Sequence, residues 1–266
     1  MSGGPAWTVA VLGFGEAGTG MAAGLAGAGA TVRGYDPVAS APPGVHMAAS
    51  DADACAGADL VLSLTTAGEA EGALRQSLSG LGEAAAGAVY ADANTAAAGL
   101  KQRLAAIADE AGVLFADIAI MAPVPGLGHR VPMIVCGRGA QRAGHILRDC
   151  RAEIEVLDGP AGFAATRKLL RSVFYKGMAA AIIEALHAAR AAGCEDWLRD
   201  HIADELTAAD ATTLSRMESG SYQHALRRSH EMAAAAELLG ELGVRPRISR
   251  ASQLWLDDLA KQSGGR

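Results

Sequence analysis

Residues 9–25, VAVLGFGEAGTGMAAGL, decide how the first half of this chain is read. An apolar run is followed by Gly13-x-Gly15-x-x-Gly18 and then by Ala-rich sequence of helical composition, the order strand, glycine turn, helix. The spacing has a physical reason. The glycines permit the tight turn and let a pyrophosphate approach the backbone at the helix start. A helix start presents unpaired N–H groups carrying about half a positive charge, which suits a pyrophosphate. In a chain with 33 glycines the motif alone says little, but its context strengthens it. The next apolar run, ATVRGYD, ends at Asp36, 23 residues after Gly13, where a carboxylate would accept the ribose hydroxyls of an adenosine. Gly13, Phe14, Gly15, Glu16, Ala17, Gly18 and Asp36 are therefore the expected dinucleotide-binding residues. Asp36 would repel a 2′-phosphate, so NAD is expected over NADP. Arg33 on the same strand keeps NADP open.

Working outward, the same alternation continues to about residue 160. Further apolar runs are GVHMAAS, ADLVLSLT, GAVYADAN, VLFADIAI, VPMIVCG and EIEVLDG, separated by helical stretches such as EAEGALRQSLSGLG, TAAAGLKQRLAAIADEAG and AQRAGHILRDC. Strands that are continuously apolar and alternate with helices predict a doubly wound, mostly parallel α/β sheet of Rossmann type. Ligands collect at the carboxyl ends of such strands. That rule adds Leu64, Thr65 and Thr66 after the fourth run, and Asn94 and Thr95 after the fifth. Beyond residue 160 the β signal stops. Helices are expected over 162–192, 195–217, 221–242 and 247–262, broken at Gly193, Gly220 and Gly243, with QSGGR as a frayed tail. The expected organisation is a dinucleotide-binding domain over 1–160 and an all-helical domain over 161–266.

Composition bounds the function. The 266 residues are 50% hydrophobic and 20% charged, enough for a substantial core. With only 4% aromatic residues, that core must be built from Ala, Leu, Val and Ile. A net charge of −6 favours neither nucleic acid nor an acidic membrane surface. Cys55, Cys136, Cys150 and Cys194 lie far apart without histidines at ligand spacing, so neither a disulfide framework nor a metal site is expected. No basic segment precedes the first apolar run, and no apolar run reaches about 18 residues. The expected location is the cytoplasm.

A second stretch carries chemistry. In TRKLLRSVFYKG, residues 166–177, helical spacing gathers Lys168, Arg171, Ser172, Tyr175 and Lys176 on an arc about 140° wide. Leu169, Leu170, Val173 and Phe174 take the other side. Taken alone, this stretch reads better as a solvated face; the rest of the chain changes the balance.

Four segments make the chain resemble the β-hydroxyacid dehydrogenases, the group that includes 3-hydroxyisobutyrate and 6-phosphogluconate dehydrogenases. They are GFGEAG beside the family's G-L-G-x-M-G, and DANT (92–95) beside D-x-S-T. DIAIMAPVPGLGHRVPMIVCG (117–137) sits beside D-A-P-V-S-G-G. GPAGFAATRKLLRS (159–172) aligns without gaps on G-x-x-G-x-G-x-x-x-K-x-x-N-N. The resemblance implies a helical second domain whose first helix carries a catalytic lysine, here Lys168. It implies hydride transfer between the nicotinamide and a small anionic hydroxyacid or its carbonyl counterpart, with the lysine as general acid/base. A free amine with pKa about 10.4 is protonated at neutral pH, and burial or neighbouring cations such as Arg171 and Lys176 would lower that value. The run R-S-x-F-x-K-G narrows the likeness to a bacterial subgroup of 6-phosphogluconate-dehydrogenase-like proteins with an uncharacterised helical C-terminal domain.

The chain also departs from the family. The substrate-orienting asparagine is replaced by Ser172, and the S-G-G that grips a carboxylate by Met121, Ala122 and Pro123. His129 and Arg130 are candidate replacements for that grip, with an exposed loop the equal alternative, and Tyr175 and Lys176 are additional. His230 stands where the family's cofactor-side lysine falls. Two alternatives follow: an imine reductase-like enzyme, against which Lys168 counts because those enzymes usually carry Asp or Tyr there, or a dinucleotide sensor without turnover. The Ala- and Leu-rich helical surface over 178–242 predicts a homodimer.

Overall fold

A computed structural model describes residues 7–82 and 87–263. The chain divides into two compact units, Met1–Arg171 and Ser172–Arg266.

In the first unit, eight strands form one sheet: β1 (Thr8–Leu12), β2 (Thr31–Tyr35), β3 (His46–Met47), β4 (Leu60–Ser63), β5 (Val89–Asp92), β6 (Leu114–Ile120), β7 (Met133–Cys136) and β8 (Ile154–Val156). Their order is β3-β2-β1-β4-β5-β6-β7-β8. Each apolar run of the sequence became one strand. All neighbours are parallel except β6 and β7. The reversal has a simple cause: residues 121–132 between them hold only one 3-10 turn, and without a crossover helix the chain returns antiparallel.

Helices α1 (Glu16–Gly27), α2 (Asp51–Cys55), α3 (Ala70–Leu81), α4 (Ala98–Glu110) and α5 (Ala140–Asp149) cover both faces. On one face Val9, Val11 and Leu62 pack with Met21 and Leu25 of α1 and Ile146 and Leu147 of α5. On the other, Leu12, Val61, Tyr90 and Phe115 pack with Leu74 of α3 and Leu104 of α4. Burial on both faces explains why the central strands are largely apolar, whereas β3 at one edge is exposed and β8 at the other carries the exposed Glu155. Each fully buried Leu contributes about 1.5–3 kcal/mol. The glycine turn is a requirement of this packing. Gly13 has φ +92°, and a Cβ there would lie 2.5 Å from the Leu64 carbonyl oxygen; a Cβ on Gly18 would run into the Gly13 carbonyl.

Helix α6 (Phe163–Ala191) contains the division between the units. The second unit continues with α7 (Glu195–Ala208), α8 (Ala211–Gln223), α9 (Ala225–Glu241) and α10 (Arg247–Ser263). The single helix expected over 195–217 is two helices. Asp210 starts the second with a capping box: its Oδ1 accepts from Thr213 N at 2.9 Å, and its own N–H donates to Thr213 Oγ1 at 3.4 Å. Gly220 is not a breaker. It lies inside α8, where a Cβ would press on the Arg228 guanidinium at 2.8 Å, and the break falls at His224. Gly193 (φ +76°) and Gly243 (φ +72°) do end their helices in the left-handed conformation. Glu184 of α6 caps α10, accepting from Ile248 N and Ser249 N at 2.8 Å each and from Ser249 Oγ at 2.6 Å. Of the expected frayed tail, Gln262 and Ser263 close α10, and 264–266 lie outside the described residues. Residues 1–6, on which the reading of the N-terminus rested, lie outside them too. Among the described residues no helix is long and apolar enough to cross a membrane.

Candidate functional site

The strand order reverses between β1 and β4, and the loops at their carboxyl ends open a cavity of 460 Å³. Gly13, Gly15, Asp36, Leu64, Thr65 and Thr66, all singled out in the sequence, line it. A Cβ on Gly15 would meet no protein atom within 4 Å. The fold does not demand glycine there, so its smallness keeps the start of α1 open toward the cavity, with unpaired N–H groups at that helix end. Phe14 contributes backbone, not side chain. Its ring is buried against Gly34, while its N–H donates to Asp36 Oδ2 at 2.7 Å. Val38 N and Ala39 N each donate to Asp36 Oδ1 at 2.8 Å. Burial pushes the Asp36 pKa up, but the hydrogen bonds from Ala39, Phe14 and Val38 outweigh it and hold the carboxyl below its usual value. Arg33 is turned away, its guanidinium bonded to the Ala56 carbonyl. Four polar residues of this cavity escaped the sequence reading: Tyr35, Asp51, Glu69 and Gln76. Asp51 opens α2, a helix of five residues, too short to leave a periodic signal. Burial, and secondarily Asp36, pushes the Asp51 carboxyl up.

A second cavity of 280 Å³ shares Leu64 and Thr65 with the first. Its wall is made by Glu16 and Ala17 of α1, Asn94 and Thr95 after β5, Ala122 after β6, and Lys168 of α6. Lys168, half-buried, is thus brought to the strand ends inside the first unit. Gly18 lines neither cavity, and its lack of a side chain lets α1 pack against the Gly13 carbonyl. Of the expected carboxylate grip only Ala122 lines the cavity. Met121 packs instead with Ala119, Ile134, Cys136 and Ala164, and Pro123 and Arg130 are exposed elsewhere on the loop. His129 is no ligand for an anion. It is buried, its Nε2 lies 2.9 Å from the Cys150 carbonyl oxygen, its ring presses on Gly24, and burial pulls its pKa down. Arg171 is exposed at the end of the first unit. Ser172, Tyr175, Lys176 and His230 belong to the second unit, the first three on α6 and His230 exposed on α9.

Beneath the second cavity lies a charged cluster. Lys101 of α4, Asp92 of β5 and Asp117 of β6 have fully buried side chains. The Lys101 ammonium pairs with Asp92 Oδ1, donates to the Asp92 carbonyl oxygen at 2.8 Å, and lies 3.2 Å from Asp117 Oδ1. Asn94 Nδ2 donates to Asp92 Oδ2 at 2.7 Å, with Thr65 Oγ1 at 3.2 Å and Ser63 Oγ at 3.3 Å. Asp117 Oδ2 accepts from Gly162 N at 2.9 Å and Ala165 N at 3.0 Å, capping α6.

Comparison with known proteins agrees with this geometry. Residues 8–138 match the NAD binding domain of 6-phosphogluconate dehydrogenase, and residues 189–259 match a domain of unknown function, DUF1932. An uncharacterized 28.5 kDa protein of Methanothermus fervidus is 28% identical over 159 residues, covering 59% of this chain and 61% of that protein. The chain thus spans about three-fifths of the length of the curated relative it matches. Among solved structures, the conserved protein MTH1747, of unknown function and structurally similar to 3-hydroxyacid dehydrogenases, is 28% identical with TM-score 0.60. That match covers 96% of this chain and 99% of the other. The imine reductase of Myxococcus stipitatus, in complex with NADP+, shares the fold at TM-score 0.78 and 17% identity, covering 96% and 94% of the two chains. The first unit is therefore an NAD(P)-binding domain on a Rossmann-type sheet. Residues 8–138 thus resemble the NAD binding domain of 6-phosphogluconate dehydrogenase, and residues 189–259 resemble DUF1932.

Proposed function

We propose that the protein is an NAD-dependent oxidoreductase of the cytoplasm that interconverts a small anionic β-hydroxyacid and its carbonyl form, with Lys168 as general acid/base. The observation that carries this reading is the second cavity, where Lys168 meets Asn94, Thr95 and Thr65 directly beside the dinucleotide cavity. The bound dinucleotide would supply or accept the hydride. The chain's own residues supply the rest. Gly15 and the start of α1 receive the pyrophosphate, and Asp36 takes the ribose hydroxyls. Lys168 removes the hydroxyl proton in one direction and returns it in the other. Preference for NAD is supported by Asp36, Asp51 and Glu69 around the first cavity, where a 2′-phosphate would meet like charge. The cations Arg171 and Lys176, with Ser172 and Tyr175 on the same helix, are assigned to the anionic substrate, and His230 to the cofactor side. Four unpaired cysteines, three of them buried, suit a reducing compartment.

Imine reduction is the second reading, favoured by the higher fold similarity to the imine reductase. A panel of small hydroxyacids, phosphorylated and sugar acids, and cyclic imines, followed at 340 nm with NAD(H) and NADP(H), separates the two. Turnover of a hydroxyacid with NAD supports the proposal, turnover confined to imines replaces it, and tight NADH binding without turnover of any compound favours a sensor.

A further inference from the structure

The sheet places a fully buried lysine where packing alone would place an apolar residue. Lys101 continues the stripe of Leu104 and Ala108, the buried face of α4. Taking an ammonium and two carboxylates out of water costs several kcal/mol per ion before their attraction is counted, so such a cluster is not a neutral choice of filler. The ammonium donates to the Asp92 carboxylate and to the Asp92 carbonyl, and it pairs in charge with Asp117 Oδ1 at 3.2 Å without a hydrogen bond.

We infer that Lys101 is a positioning residue, which through Asp92 fixes the side-chain amide of Asn94 with its carbonyl oxygen toward the cavity lined by Lys168. This rests on reading that cavity as the nicotinamide end of the cofactor site. An amide side chain has a donor end and an acceptor end, and its neighbours decide which faces where. An ionised carboxylate can only accept, so Asp92 Oδ2 selects the NH2 of Asn94, at 2.7 Å. With the nitrogen committed inward, the carbonyl oxygen is the polar atom left for a hydroxyl or amide donor of the nucleotide. Burial pushes the Asp92 carboxyl up, toward a protonated form that would accept or donate and so hold either end of the amide; the Lys101 charge opposes this. The same ammonium neighbours Asp117, whose other oxygen holds Gly162 N and Ala165 N at the start of α6, six and three residues before Lys168. One buried cation thereby supports two walls of the cavity.

Asp92→Asn tests this with almost no change of shape. Lys101 would claim the new carbonyl oxygen, the new NH2 would face Asn94, and Asn94 would have to turn its own NH2 toward the cavity. NADH affinity, from fluorescence titration, should fall about tenfold, the effect of turning one acceptor into a donor. In an Asn94→Ala background, Asp92→Asn should change NADH affinity less than about twofold, because the group through which it acts is gone. If Asp92→Asn shows no cooperative melt, Lys101→Met/Asp92→Asn, which removes both charges and leaves Asp117 on α6, should show the same dependence on Asn94. Unchanged NADH affinity, or an equal loss with and without Asn94, would mean that the cluster only holds the sheet together. A wild-type chain that binds no NADH overturns the cofactor reading and this inference with it. A wild type that binds while the substitutions act independently overturns the inference alone.

Discussion

Asp36 shows how one side chain is prepared for its task. Its carboxylate is held by the N–H groups of Phe14, Val38 and Ala39, so both its place and its charge are set before any ligand arrives. Asp36→Ala should weaken NADH binding and bring NADH and NADPH affinities within a fewfold of each other; an unchanged preference contradicts the assignment. The pH dependence follows from the lowered pKa. A group depressed on folding contributes stability above its unfolded value, ordinarily 3.8 for this carboxyl, and loses it as pH falls through the lower folded value. Asp36 should therefore keep its charge, and the preference for NADH, down to about pH 4. This residue was legible because glycine turn, strand and carboxylate lie in one contiguous stretch. Lys101 was not, because its partners come from β5 and β6. A trace was present all the same: a lysine at the position that continues the Leu104 and Ala108 stripe. His129 misled because a loop histidine beside an arginine looks exposed, whereas the loop folds it onto α1.

At the scale of elements, the central strands were readable because burial on both faces made them largely apolar. What escaped was fixed by local bonds without periodicity. Ser50 nucleates α2 by accepting from Asp53 N at 3.1 Å, and the Asp210 capping box splits one expected helix into two. Glu184 is a further case, since its residues 64 and 65 positions away could not be paired from sequence. Burial pushes its pKa up, but the bonds from Ser249 and the α10 N–H groups bring it below the usual 4.5. Its stabilisation is thus fully present above about pH 4.5 and fades as pH falls through the lower folded value. Glu184→Ala should cost about 1–2 kcal/mol in denaturant melts at pH 7. The difference from wild type should shrink under acid; equal losses at pH 7 and pH 3 would show that the cap is not ionic.

At the scale of the molecule, α7 and α8 bury no residue, and Trp197, Leu214, Met217 and Trp255 are more than half exposed. Apolar surface of that extent is normally covered, and a second copy of the chain is the occupant proposed here. Light scattering at micromolar concentration should give a homodimer, and a monomer would contradict it. In the function proposed above, cofactor binding and turnover have separate owners, the glycine turn and its strand ends for the first and Lys168 for the second. The direct measurement compares wild type with Lys168→Met on one substrate found at 340 nm, reading NADH affinity and turnover together. NADH affinity should stay within about twofold, while turnover falls roughly 10²–10⁴-fold, the range for losing a positioned acid/base group, and the residual rate loses its pH dependence. Lys176→Met should mainly raise KM for an anionic substrate. Equal and small effects of both substitutions would contradict the account, because Lys168 would then be no more than a residue on a wet helix face.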